Sequence, residues 1–152
     1  MRRHPALRRL SSEHHTGLVI ARRARQAAGQ DGPAQSVAWD AVKERFRAEL
    51  EGHFRREERG LLPVLRALGE TELVERTLRE HQALRALVAE ERPANLRPFA
   101  DLLAAHIRFE EQVLFASAQR RLDASLWRAL ERGLDKAPPA TGGPNGSPNE
   151  RI

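Results

Sequence analysis

Residues 53–58 read His53-Phe54-Arg55-Arg56-Glu57-Glu58, and residues 106–111 read His106-Ile107-Arg108-Phe109-Glu110-Glu111. Both have the form His-apolar-Arg-x-Glu-Glu. In a helix, residues four apart lie on one face, about a turn from each other. His53 with Glu57, and His106 with Glu110, therefore each aim a nitrogen and a carboxylate at one point. Val42, Phe46, Leu50, Leu61 and Val64 form an apolar stripe around the first pair; Phe99, Leu103, Val113 and Leu114 form one around the second. The stripes predict that both pairs face a helical core. A carboxylate buried without a partner is strongly disfavoured, and a metal ion is a partner that offsets the cost.

Working outward from these two segments, helical periodicity dominates the chain and nothing reads as a strand. A first helix is expected from Leu7 to Ala28, with Ser11 or Ser12 as its cap if it starts late and Gly29 at its end. A second runs from an N-cap at Ser36 to Leu68, with a bend or break near Pro63, whose ring removes a backbone donor. Thr71 is read as the cap of a third helix that ends before Pro93. Asn95 is read as the cap of a fourth reaching Arg121. Asp123 opens a short fifth segment, Ala124 to Arg132, closed by Gly133. The expected fold class is all-α: an up-down-up-down four-helix bundle with a short extra C-terminal helix. Residues 1–136 form the bundle, and 137–152, rich in Pro, Gly, Asn and Ser, form a disordered tail.

The other histidines extend the pattern. His81 lies on the third helix's stripe with Val74, Leu78, Leu84 and Val88. The first helix offers His14 and His15. On the wheel His14 lies nearer the arc of Leu7, Leu10, Leu18, Ala21 and Ala28, while His15 faces Arg8, Arg22 and Gln26, and a small rotation would exchange them. A lone histidine on an apolar face is more often a satisfied core residue than a ligand. Here every bundle helix carries one near its middle, and two add a carboxylate at the same offset. Four histidines with Glu57 and Glu110 suit two metals. One arrangement puts His14 and His53 on one ion, His81 and His106 on the other, and both glutamates between them; spacing alone does not decide which histidines share an ion. Glu58 and Glu111, about 100° away on the wheel, are read as outer or surface residues. His4 is read as a solvated residue of a basic arm.

Composition narrows the chemistry. The 152 residues contain no cysteine, which excludes disulfide frameworks, thiolate zinc sites and iron–sulfur clusters. There is no tyrosine, so no phenolate ligand or tyrosyl radical takes part. Histidine and carboxylate donors suit iron, manganese and zinc. The formal charge of +5 comes almost wholly from arginine, Lys43 and Lys136 being the only lysines. These arginines alternate with glutamates, a pattern of ion-paired, solvated helix faces rather than a nucleic-acid surface. No stretch approaches the ~20 apolar residues of a membrane span, and no apolar segment follows the basic N-terminus. A cytoplasmic protein, monomer or homodimer, is expected.

The ordered set Glu13-His14-His15, His53-Phe54-Arg55-Arg56-Glu57-Glu58, Glu80-His81-Gln82-Ala83-Leu84 and His106 through Phe115 resembles the hemerythrin-like, or HHE cation-binding, family. The resemblance implies a non-haem di-iron centre, oxo- or hydroxo-bridged, that binds or senses dioxygen, nitric oxide or peroxide, or handles iron. Oxygen-carrying members have a second histidine one turn after the third-helix ligand, where this chain has Arg85. That departure turns the expectation from simple oxygen carriage towards redox reactivity, iron handling or sensing. Two other readings compete: a di-iron oxidase or peroxidase using the same ligands, and a metal-independent, arginine-rich helical adaptor for nucleic acid.

Overall fold

The computed structural model describes residues 2–136, so the expected tail at 137–152 lies outside the described residues. Among these, every regular element is helical and none is long and apolar enough to cross a membrane. Five helices form a bundle: α1, Pro5–Ala27; α2, residues 32–67; α3, Thr71–Val88; α4, residues 96–121; and α5, Ala124–Lys136.

Several helix ends differ from expectation. α1 begins before either serine, because His4 caps it: Nδ1 accepts the Ala6 N–H at 3.0 Å, and Pro5 occupies the first turn, where no donor is needed. His4 is not a free solvated residue; its ring stacks on Trp127 of α5 at 3.6 Å. Asp31, not Ser36, caps α2 by accepting the Ala34 N–H at 2.9 Å, so that helix starts a turn earlier. Glu70 precedes α3 while Thr71 falls inside it, after Gly69 turns the chain at φ 91°. Asn95 stands at the start of α4, but its side chain donates to Leu87 O and Glu90, tying off the end of α3 instead. Asp123 caps α5 through Leu126 N–H.

α2 does not break at Pro63. The hydrogen-bond register widens to π type over Glu57–Leu61, and α geometry resumes at Leu62–Ala67 with Pro63 in its first turn. Further π turns lie at Phe46–Leu50 and Glu110–Leu114. The last rotates the helix face, leaving Val113, expected in the core stripe, 41% exposed. Gly133 is not a terminator: α5 runs through it to Lys136. A methyl group there would stand 2.8 Å from Gly60 Cα and 2.9 Å from the Arg59 carbonyl, so two glycines let α5 touch the α2 backbone.

The core is divided. One apolar cluster holds Ile20, Trp39, Phe46, Phe54, Leu84, Phe99 and Leu103; the other holds Leu7, Leu10, Leu61, Leu65, Val74, Leu114, Phe115 and Leu130. On α1 and α3 the histidine falls between residues of the two clusters, and on α2 and α4 it lies at the edge of the first, so the histidines form a polar layer with apolar packing above and below. Surface arginines pair as their alternation with glutamate predicts, for example Arg45 with Glu49, Arg55 with Glu51 and Arg66 with Glu75.

Candidate metal centre

Each long helix contributes one buried histidine to this layer: His14 from α1, His53 from α2, His81 from α3 and His106 from α4. Two helices add a carboxylate, Glu57 and Glu110, both with no exposed surface. Of the two first-helix candidates, His14 is buried within the group, while His15 is exposed on α1 and lies outside it. Each carboxylate opens a π turn, so the widened register begins at the residue that reaches furthest into the layer. π turns inside α-helices are frequent at functional sites.

The six side chains divide into two overlapping sets, His14, His53, Glu57 and Glu110, and His81, His106, Glu57 and Glu110, each with donor atoms within 4.8 Å of one another. Glu57 Oε2 lies 2.9 Å from His53 Nε2 and 3.8 Å from His14 Nε2, while its Oε1 lies 3.0 Å from His81 Nε2. Glu110 mirrors this. Its Oε1 is 2.7 Å from His14 Nε2 and 3.9 Å from His53 Nε2, and its Oε2 is 2.9 Å from His106 Nε2 and 3.6 Å from His81 Nε2. Each carboxylate thus gives one oxygen to each histidine pair.

These short distances are mostly not hydrogen bonds. Apart from His14 Nε2 to Glu110 Oε1, the inward nitrogens of His53, His81 and His106, both Glu57 oxygens and Glu110 Oε2 are buried with no aligned partner. Atoms that approach closely without pointing at each other are converging on common points. Buried polar groups are rarely left unpaired, and two imidazole nitrogens with two carboxylate oxygens form a donor set for iron, manganese or zinc. The residues fit a pair of metal ions.

An outer layer fixes the imidazoles. His53 Nδ1 donates to Glu13 at 2.8 Å, His81 Nδ1 to Glu58 at 2.6 Å, His106 Nδ1 to Glu80 at 2.7 Å, and His14 Nδ1 to Glu111 at 2.6 Å. Each bond crosses to a neighbouring helix, in the order α1–α2, α2–α3, α3–α4 and α4–α1, so the four close into a ring. A carboxylate on Nδ1 holds the proton there and turns the Nε2 lone pair inward. Arginines anchor every one of these carboxylates: Arg56 and Arg9 on Glu13, Arg85 on Glu58, Arg76 on Glu80 and Arg3 on Glu111, the last also accepting from Ser11. Phe54 stacks on His81 at 3.9 Å and Phe115 on His14 at 5.2 Å, sealing the layer with aromatic rings.

The wheel treated Glu58 and Glu111 as outer residues, and they are, though tightly bonded to histidines. Helical period gives no sign that Glu13 and Glu80 are imidazole partners. Their signal was adjacency: each directly precedes a core histidine but serves the histidine of the next helix, a relation that only packing reveals.

Electrostatics agree with two permanently charged carboxylates. Burial alone would raise the Glu57 carboxyl pKa, as does the nearby Glu110 charge, yet His53 and His14 hold it down at about 2. Glu110 is likewise held well below its ordinary value against burial, by His106, His14 and His53. Burial opposes charge on His14 too, but Glu110, Glu111 and Glu57 raise it to about 11; the same contest, won by Glu110, Glu57 and Glu58, puts His81 at about 10. The raised values favour protonated imidazoles in the metal-free chain, and a metal bound at these nitrogens would have to displace those protons.

A family model described as Hemerythrin HHE cation binding domain matches residues 6–118. That span holds all six inward residues and all four outer carboxylates, and stops short of α5. No curated protein and no solved structure matches the chain.

Proposed function

We propose, from the premise that this chain belongs to the hemerythrin HHE cation-binding family, that it is a non-haem di-iron protein binding or sensing a small molecule such as dioxygen, nitric oxide or peroxide. The fold that serves this function is read as an up-down-up-down four-helix bundle with α5 appended. The observation that carries the proposal is the sharing of Glu57 and Glu110, each with one oxygen towards His14 and His53 and the other towards His81 and His106. Such sharing suits two ions better than one. Manganese or zinc would be accepted by the same donors.

A bound iron pair would supply reversible redox change and open positions for a small ligand. The chain supplies the rest. The four imidazoles are aimed by their Glu partners before any ion arrives, so little side-chain freedom is lost on binding. The stacked Phe54 and Phe115 and the flanking clusters keep water from the inward faces. Arg85, one turn after His81, does not point inward. Its Nε lies 3.0 Å from Glu51 and its Nη1 2.9 Å from Glu58. Each histidine pair is therefore left with only two imidazoles, which supports ligand sensing, redox reactivity or iron handling over plain oxygen transport.

The test is iron content after anaerobic loading, followed by optical spectra on exposure to air, nitric oxide and peroxide. The proposal expects about two irons per chain and absorption changes that follow ligand stoichiometrically. Loading near zero would refute it. Sustained consumption of peroxide or oxygen would instead favour a di-iron oxidase or peroxidase.

A further inference from the structure

The metal layer is built twice. Glu13, His14, His53, Glu57 and Glu58 on α1 and α2 correspond in order and role to Glu80, His81, His106, Glu110 and Glu111 on α3 and α4. The distances repeat as well. His53 to Glu57 and His106 to Glu110 are both 2.9 Å. The two cross-helix approaches, His14 to Glu110 and His81 to Glu57, are 2.7 and 3.0 Å. Ring centroids are 4.9 Å apart in both histidine pairs. Even the supports correspond: Arg9 holds Glu13 at 3.1 Å and Arg76 holds Glu80 at 3.0 Å, each from one turn earlier on its own helix.

Two supports have no counterpart. Arg56, which also bonds Glu13, is matched on α4 by Phe109, which carries no charge. Arg85 stands one turn after His81, and the matching position on α1 is the apolar, 37% exposed Leu18. Glu111, the partner of His14, is held instead by Ser11 and by Arg3 from the N-terminal arm. Among the described residues, Glu58, the partner of His81, has Arg85 as its only anchor besides that histidine. The guanidinium also bonds Glu51 and lies over the Phe54 ring at 5.5 Å, the ring that stacks on His81.

We infer that the two metal positions are equivalent, each ion taking two imidazoles and one oxygen from each shared carboxylate, and that Arg85 is the positioning residue that keeps them equal. It acts through Glu58 on His81, replacing on one half the anchor that the other half draws from Ser11 and Arg3. An exogenous ligand then meets two like ions rather than one saturated and one open. This inference rests on the two-metal reading above.

Mössbauer spectra of the full chain loaded anaerobically with ferrous 57Fe, read beside iron content, test it. One quadrupole doublet at about two irons per chain is expected from the stated donor sets. Two doublets of equal area at that content would overturn equivalence while leaving the two-metal reading intact. A content of one or none would overturn both. Arg85→Met, with its helicity checked by circular dichroism, should split the spectrum into two doublets, and Arg85→Lys should restore one. A single doublet in a folded Arg85→Met chain at unchanged iron content would refute the role given to Arg85. If Arg85→Met does not fold, Glu58→Gln, which keeps the shape but weakens the hold on His81, should produce the same splitting; its failure to do so would be equally fatal.

Discussion

Replacing Glu13 by alanine should cost far more stability than its quarter exposure suggests. Among the described residues, Glu13 is the one partner of Arg56, whose side chain is 4% exposed and whose Nε and Nη1 already lack acceptors. Glu13→Ala leaves a buried guanidinium with nothing bonded to it. Breaking a buried pair from one side costs about 3–5 kcal/mol. The loss of the His53 bond acts in the same direction, and partial hydration at Glu13 moves the total towards the lower figure. Arg56→Met removes the charge together with its need for a partner, and Glu13 keeps His53 and Arg9. The double variant should then lie within about 1 kcal/mol of Arg56→Met alone, a coupling of about 2 kcal/mol or more between neighbours. Urea unfolding of the metal-free wild type, both single variants and the double variant measures the cycle. Additive losses, or a Glu13→Ala chain within about 1 kcal/mol of wild type, would show that Arg56 does not depend on Glu13. In the loaded protein the same substitution should weaken metal binding by about 10–100-fold, because His53 loses the group that orients it.

Two further outcomes follow from packing and charge. Gly133→Ala normally strengthens a helix, but here the added methyl meets the backbone at Gly60 and Arg59, so thermal unfolding should show a loss of about 1–3 kcal/mol; a gain would mean that α5 does not touch α2 there. In the metal-free chain, His14 and His81 are raised from 6.5 to about 11 and about 10, so their contribution is full below pH 6.5 and lost as pH rises through those values. Glu13, Glu57 and Glu111 are lowered from 4.5 to about 2, so theirs is present above pH 4.5 and lost as pH falls towards 2. Calorimetry across pH should place the highest Tm between 4.5 and 6.5, with the alkaline fall reduced once metal replaces the imidazole protons; a metal-free Tm still rising from pH 7 to 9 would contradict the charge states assigned here.

The legible part of the structure was the part governed by helical period. A histidine and a glutamate one turn apart inside an apolar stripe must face inward, and the stripes around His53, Glu57, His106 and Glu110 place them so. Helical period does not decide which histidines share a donor set; only the packing of the helices brings His14 beside His53 and His81 beside His106. What the wheel could not show was which neighbouring helix each side-facing residue would meet. Glu13 and Glu80 lie beside core histidines in sequence but across a helix interface from the ones they bond. Val113 was misplaced because a wheel assumes 3.6 residues per turn and the π turn at Glu110–Leu114 does not obey it. Glycine often ends helices, so Gly133 reads as a stop; its use as a contact depends on Gly60, far away in sequence. His4 reads as solvated because its stacking partner, Trp127, lies at the opposite end of the described chain.

The closed ring of Nδ1 bonds has a consequence for how the protein is made. Three of its links join consecutive helices, 40, 23 and 26 residues apart, but the last joins Glu111 to His14 across 97. Both donor sets also require Glu110. A nascent chain emerging from the ribosome can pair its early helices, yet it can complete neither cation position until α4 has been synthesised and folded back against α1. Metal uptake by these residues would therefore report that α1 to α4 are all present, and a truncated chain ending before α4 would lack both donor sets.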